Sequence, residues 1–412
     1  MRIVKLSSSQ FDRFVSTHRY RNFYQSSMYA NVMRKFGYDS QYLGITDDNN
    51  VLIGASLIIY KEVFMKNKIA YAPRGILYNY ENIEDVKLLA HTLKKSLGNE
   101  GFMLLRMDPY IPITVRDYEG NIINFNNKTE QLIENLEKSG FIYKGRNLFF
   151  ETEKPRWESI VVLKRDLREI SSKLDKRVRN KINKAMNSGI TIVKDNNNNV
   201  NKLYTFIQNK ERKPLSYYKE ICNQFNSDVE IYYALLNTEQ FLINTRRNLE
   251  KEEVYNETLK QRLQDISLTE KDKTPYLNKK MESDRLLTVY KENLEKSTDL
   301  LKSNPEGLVI GGAMVIKYDN SAYIFVEGLD EKYGYLNANY LLKWQLIKDF
   351  NERGFKYINL NAIVGEFEEK NKYSGLNEAK LGFNSTVTEY IGEFDIVLNS
   401  FNYNLYKRFN KK

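Results

Sequence analysis

Leu52-Ile-Gly-Ala-Ser-Leu-Ile-Ile-Tyr60 and Val309-Ile-Gly-Gly-Ala-Met-Val-Ile-Lys-Tyr318 are near copies of one another. Each reads as a strand. Each is followed by a second aromatic strand (Ile69 to Tyr78; Ala322 to Leu329), an amphipathic helix (Ile83 to Leu97; Asn337 to Glu352), a Gly-Phe turn (Gly101-Phe102; Gly354-Phe355) and a closing strand (Phe102 to Asp108; Phe355 to Asn361). The repeat puts Asp108 and Asn361 at equivalent positions. Two copies of one β-β-α-β unit imply two similar α/β domains facing each other across a cleft, where ligands usually bind.

Between the copies, residues 239–303 contain no glycine and one proline, with long runs of Glu, Lys, Gln, Asn and Leu. Leu242, Thr245, Leu249, Glu252, Asn256, Leu259, Leu263 and Ile266 follow a 3-4 spacing, and Leu287, Tyr290, Leu294, Ser297 and Leu301 repeat it. Thr274-Pro275 reads as the cap and first residue of a second helix, and Pro305 and Gly307 end it. The expectation is an antiparallel hairpin, serving as a solvated spacer, a dimerisation device or a functional arm. The expected domains are 1–150, then 151–238 with 304–412, with the arm at 239–303 inserted in the second.

The chain has 412 residues, enough for two or three domains, and its 30 Tyr and 21 Phe argue against disorder. One cysteine, Cys222, excludes a disulfide framework or thiolate zinc site and reads as an ordinary helix residue in a reducing compartment. With His18 and His91 the only histidines, a Ser-His-Asp triad or a multi-histidine metal centre is not expected. The N-terminus lacks the apolar core of a signal peptide, and no run of about 18 apolar residues occurs. A soluble, cytoplasmic protein is expected. Lys plus Arg exceed Asp plus Glu by ten, which favours polyanionic partners. The arm holds 13 of each sign, so the excess belongs to the remainder.

Much of that excess lies between Lys164 and Lys184: Lys164, Arg165, Arg168, Lys173, Lys176, Arg177, Arg179, Lys181 and Lys184 against Asp166, Glu169 and Asp175. Leu167, Ile170, Leu174, Val178, Ile182 and Ala185 give this stretch one apolar face, so it reads either as a solvated helix or, given the asymmetry, as an RNA phosphate contact.

The β-β-α-β unit resembles the GNAT-like acyltransferase fold that normally holds coenzyme A on a glycine-rich turn. Here that turn, Glu331-Lys-Tyr-Gly-Tyr-Leu-Asn337, has one glycine between tyrosines and suits a pyrophosphate poorly, so no coenzyme is expected. Gln25-Ser26, Tyr71-Ala-Pro-Arg-Gly75, Leu105-Arg-Met-Asp-Pro109, Pro155-Arg156, Lys176-Arg-Val-Arg-Asn-Lys-Ile-Asn-Lys-Ala185, Ala379-Lys-Leu-Gly-Phe383 and Glu389-Tyr-Ile-Gly-Glu-Phe-Asp395 stand in the order seen in the FemA/FemB/FemX and MurM group. Over nearly its whole length the chain resembles these peptidoglycan-bridge aminoacyltransferases, which move an amino acid from aminoacyl-tRNA to the side-chain amine of the third stem-peptide residue of a cell-wall precursor. The resemblance implies tandem GNAT-like domains with an inserted coiled-coil arm, and neither metal nor cofactor.

It also implies roles. Lys380 matches the lysine at the tRNA acceptor end and would stabilise the oxyanion of the tetrahedral intermediate, although Ala379 stands where the family often has an aromatic residue. Asp108 matches an aspartate near the precursor peptide, either accepting the amine proton or orienting the ammonium group. Arg34 or Lys35, with Arg212, Tyr217 and Tyr218, match contacts to the precursor's pyrophosphate and sugar. Tyr323 and Phe325 match an aromatic strand beside the second cleft, with core packing as the alternative. Lys173, Lys176, Arg177, Arg179, Lys181 and Lys184 are the expected tRNA contacts. The acceptor is a lipid-linked or a nucleotide-linked precursor, the former with transient contact at the inner membrane face. The residues leave two rivals standing: a CoA-dependent N-acyltransferase and a non-enzymatic RNA-binding scaffold.

Overall fold

The computed structural model describes residues 1–163, 166–196, 199–265, 267–368 and 371–409. Lys164, Arg165 and Ile266 lie outside them. Along the chain the strands are β1 (Arg2–Lys5), β2 (Asp39–Thr46), β3 (Leu52–Phe64), β4 (Asn67–Ala72), β5 (Phe102–Met107), β6 (Pro112–Arg116), β7 (Ile122–Phe125) and β8 (Phe141–Tyr143). They continue as β9 (Trp157–Val162), β10 (Ile190–Asp195), β11 (Val229–Leu236), β12 (Leu308–Tyr318), β13 (Ser321–Leu329), β14 (Tyr357–Ala362), β15 (Thr386–Tyr390) and β16 (Phe394–Val397).

Both copies of the repeat form the same unit: β3, β4, the helix Ile83–Asn99 and β5; then β12, β13, the helix Ala338–Glu352 and β14. In each, the strand after the helix pairs parallel to the one before it, β4 with β5 and β13 with β14. The turn between them needs a left-handed residue, supplied by Gly101 (φ 84°) and Gly354 (φ 79°). One expectation is corrected: the first copy's second strand ends at Ala72, not Tyr78. Pro73 has no N–H to give a ladder, and Arg74 follows in the left-handed region (φ 54°).

The sheets run β1-β2-β3-β4-β5-β16-β8 and β10-β11-β12-β13-β14-β9-β15-β6-β7. Alternate residues of the repeat strands enter different cores, Ile58 against Leu57 and Ile59 in β3, Ala313 and Val315 against Met314 and Ile316 in β12. One core is shared between the sheets through the helices Ser8–Thr17, Ser27–Lys35, Val200–Ile207 and Leu215–Phe225. Helices Ile83–Asn99 and Thr129–Lys138 cover the outer face of the first sheet. Helices Lys176–Asn187 and Ala338–Glu352 cover that of the second.

The sheets exchange strands across residue 150. From β5 the chain crosses through Asp108 to Ile111 into β6 of the second sheet; from β15 it returns through Ile391 to Glu393 into β16 of the first. The crossings are bonded to each other, Ile391 N to Ile111 O at 3.0 Å. Arg156, 1% exposed, pins the return by donating to the carbonyls of Ile391 and Gly145.

The arm is the expected hairpin, Thr238–Leu263 and Glu270–Ser303. Its second helix starts earlier than expected: Thr269 and Asp272 form a reciprocal capping box, leaving Pro275 inside the helix. At mid-arm, buried Asn256 donates to Ser283 Oγ (3.0 Å) and Asp284 Oδ1 (2.8 Å), a polar layer that sets the register of the two helices.

Candidate active site

The site forms where the crossings meet. The turn after β4 is pinned by buried Gln25, whose amide bonds Leu57 N (2.7 Å) and Pro73 O (2.7 Å). This presents Arg74, 2% exposed, to both sheets. Its backbone N–H donates to Asp108 Oδ1 (2.7 Å), and its guanidinium reaches Asp108 Oδ2 (3.5 Å) and Glu158 Oε1 (2.7 Å) on β9. Arg74 lies over the stacked rings of Tyr110, in the outgoing crossing, and Tyr390, the last residue of β15, whose centroids are 4.2 Å apart. Tyr110 Oη (3.0 Å) and Asn359 Nδ2 (2.7 Å) complete the shell of Glu158.

Asp108 also accepts from Tyr71 Oη at 2.9 Å, yet its Oδ2 has no hydrogen-bond partner. Burial pushes its pKa up to about 6, against the pull of Arg74. Beside it, Lys154 lies 3.8 Å from the centroid of the Tyr24 ring. Burial lowers its ammonium to about 8, partly offset by Asp108.

Lys154 opens onto a cavity of about 530 Å³ whose walls include Tyr24, Arg212, Tyr217, Tyr218, Phe325 and Asn361. The structure thus brings together Arg212, Tyr217, Tyr218 and Phe325. Tyr323 lines a smaller recess beside it with Phe23, Glu158 and Asn359, and its ring meets that of Phe23 edge-on at 5.1 Å. Arg34 and Lys35 are not in the walls. Arg34 spends its guanidinium on Ser40, Asn31 and Tyr42, and Lys35 is exposed at the end of the same helix. Asp108, 2% exposed, is not a wall residue either.

Lys380 sits just behind the cavity wall. Its helix, Ser374–Leu381, directs the side chain inward until only 6% of the residue is exposed, and Nζ donates to the carbonyl of Ala362, a wall residue, at 2.7 Å. Burial lowers its pKa to about 8; attraction to Glu327 opposes this and repulsion from Lys343 adds to it. The other side of the same segment, at Glu378, Leu381 and Gly382, forms one wall of a groove of about 520 Å³. The basic stretch, which forms two helices where its apolar spacing suggested one, makes the opposite wall with Lys173, the C-cap of the short helix Leu167–Ser172, and with Arg177 and Lys181 of the helix Lys176–Asn187. The two walls approach so closely that a Cβ on Gly382 would lie 2.4 Å from Val178. Lys176 and Arg179 are exposed on that helix, and Lys184 faces the arm.

Among the described residues, no cluster of His, Cys, Asp or Glu could hold a metal ion, and no helix is long and apolar enough to cross a membrane. Sequence reasoning missed Arg74, Glu158, Lys154, Tyr110 and Tyr390 as site residues. Arg74 and Tyr390 lie within the Tyr71–Gly75 and Glu389–Asp395 motifs, which was the available signal.

A doubled acyltransferase-type unit, with ionisable groups buried behind a cavity at the junction of its sheets, defines an acyl-transferring enzyme. The sequence matches the FemAB family over residues 6–411, and the chain belongs to that family. It is 23% identical over 421 residues to aminoacyltransferase FemA of Staphylococcus epidermidis, covering 100% of this chain and 99% of the relative. It is 21% identical over 420 residues to that of Staphylococcus aureus strain bovine RF122 / ET3-1, with the same coverage. The crystal structure of FemX superposes with a TM-score of 0.69 at 18% identity, over 98% of this chain and 99% of the other. The enzyme is an acyltransferase of the FemA type.

Proposed function

We infer that this enzyme transfers an amino acid from aminoacyl-tRNA to the side-chain amine of the third stem-peptide residue of a peptidoglycan precursor. The observation that carries the reading is the placement of Lys380. Its helix borders a basic groove fit for RNA phosphates, and together with the Ala362 segment that its Nζ bonds it forms a partition between that groove and a cavity lined by Arg212, Tyr217, Tyr218 and Phe325. A donor gripped on one side and an acceptor seated on the other would meet at that partition.

The chemistry needs a neutral amine and a stabilised oxyanion. Lys380, charged below about pH 8, supplies a cation in a water-poor setting, where such a charge counts most. Lys154, with a pKa near 8, can exchange a proton with the acceptor ammonium, and Asp108 steers that exchange by attracting the Lys154 charge. Arg212 in the cavity, with Lys210 and Lys213 on the same rim, suits the pyrophosphate that lipid-linked and nucleotide-linked precursors share.

The test is transfer of radiolabelled amino acid from a panel of charged tRNAs to each precursor in turn. Label should appear in the muropeptide. Failure with every charged tRNA, alongside turnover of an acyl-CoA, would sink the proposal.

A further inference from the structure

A second cleft, of about 440 Å³, lies where the basic helix, the root of the arm and the turn Glu331–Leu336 meet. Its lining is unusual in kind. Asn180, Asn183 and Asn187 come from the basic helix, Asn244 and Asn248 from the outgoing arm helix, and Asn293 from the returning one. Tyr290 and Tyr335 offer rings, Lys184 is the single cation, and no carboxylate lines the cleft.

Packing does not account for these residues. Asparagine is a weak helix former, because its amide competes with the backbone. Amides that join helices are found paired. Here Asn244 is so used, donating to Asn187 O (2.8 Å) and accepting from Gln240 (2.9 Å). Among the described residues, the carboxamides of Asn180, Asn183, Asn248 and Asn293 have no protein partner.

The helix Lys176–Asn187 therefore carries two stripes. Arg177 and Lys181, continuing from Lys173, face the groove beside the Lys380 segment. Asn180, Asn183 and Asn187 face the arm. Cations contact phosphate and fix position, whereas an amide, with donor and acceptor side by side, matches the edge of a base. Single-stranded RNA is read by such amides together with aromatic faces for stacking.

Resting on the aminoacyl-tRNA reading above, we propose that this asparagine-lined cleft binds an unpaired nucleobase of the RNA donor while the neighbouring cation stripe holds its phosphates. The experiment is equilibrium binding of labelled unfractionated tRNA, and of a blunt RNA duplex without unpaired bases, to the full chain across a salt series. Wild type should prefer tRNA. The doubly substituted Asn183→Ala, Asn248→Ala protein, changed only at exposed positions, should bind tRNA about tenfold more weakly with its salt slope intact. Asn183→Leu, nearly isosteric and uncharged, should do the same. Lys173→Gln with Lys181→Gln should instead flatten the slope by about one per lysine.

Wild-type tRNA affinity in the asparagine variants overturns the proposal, as does a flattened slope in them. Displacement of tRNA by an N-acetylglucosamine oligomer in wild type overturns it in favour of a sugar site. If wild type binds no tRNA, the donor assignment falls with it, which separates that failure from one confined to the cleft.

Discussion

Replacing Lys380 by methionine separates a catalytic from a structural lysine because the two readings predict opposite changes in stability. The side chain keeps its length and loses its charge. In the folded protein its pKa is about 8 instead of 10.5, so below pH 8 burying the ammonium costs about 3 kcal/mol relative to the unfolded chain. Losing the bond to the Ala362 carbonyl offsets this by about 1–3 kcal/mol. Lys380→Met should therefore unfold at the same or a higher denaturant concentration, by up to about 2 kcal/mol at pH 7. The sign can be checked against pH. A lysine whose pKa falls on folding releases its proton more readily in the native state, so wild-type stability rises between about pH 8 and 10.5. The variant lacks that rise and should lose its advantage. Activity should move the other way, with kcat down by about 10²–10³, the usual effect of removing one oxyanion donor. Wild-type kcat should also decline as pH passes 8. The assays are urea unfolding at pH 7 and pH 9.5 and single-turnover aminoacyl transfer. A variant destabilised by more than about 2 kcal/mol with kcat intact would refute the reasoning and make Lys380 a packing residue.

Arg74→Met strands the carboxylates of Asp108 and Glu158 and should cost about 3–5 kcal/mol at pH 7.5; because Asp108 already titrates near 6 and would rise further, the loss should shrink toward pH 5, and a pH-independent loss in denaturant melts would count against the ion-triad account. Glu230, 4% exposed, is pushed up by burial but held well below the usual carboxylate range by Arg353, Tyr232, Lys194 and Lys317. Its stabilisation is thus present above the ordinary 4.5 and lost as pH falls below it, so Glu230→Gln should cost about 1–3 kcal/mol at pH 7 and little near pH 2, read from acid unfolding curves. Gly392→Ala places a Cβ 1.9 Å from Arg156 Nη2 at a residue with φ 92°; it should destabilise by about 2–4 kcal/mol, and a neutral result by calorimetry would mean the return crossing is not pinned as described.

What could be read from the chain was what is local. The repeated strands, the glycine turns and the 3-4 spacing of the arm each carry their signal within a dozen residues, and each formed. Where two local signals competed, at Thr269 and Thr274-Pro275, the reciprocal cap outweighed a proline whose missing N–H leaves one backbone bond unmade. Sheet membership was not legible. β6, β7, β15 and β16 are four or five residues long, and nothing in so short a run says which sheet it will join. That choice is made by pairing across hundreds of residues, as Asp395 on Arg106 and Glu389 on Thr114 show.

The same non-local choice explains which site residues were visible. Those named in advance and found together (Arg212, Tyr217, Tyr218 and Phe325) stand on the cavity's rim and wall, where a residue's own chemistry announces a ligand. Arg74, Glu158, Tyr110 and Tyr390 acquire meaning only from one another, and they meet because two segments cross between the sheets at the same point. A tandem duplication without exchanged strands would have left these charges on separate units, each needing its own partner or its own water. Exchange places one arginine between carboxylates from both halves, and in doing so fixes the two units in register around the cavity. The ion triad is therefore better understood as the device that holds the cavity's two walls at a set distance, with Lys154 in the wall itself and Lys380 bonded to the wall from behind.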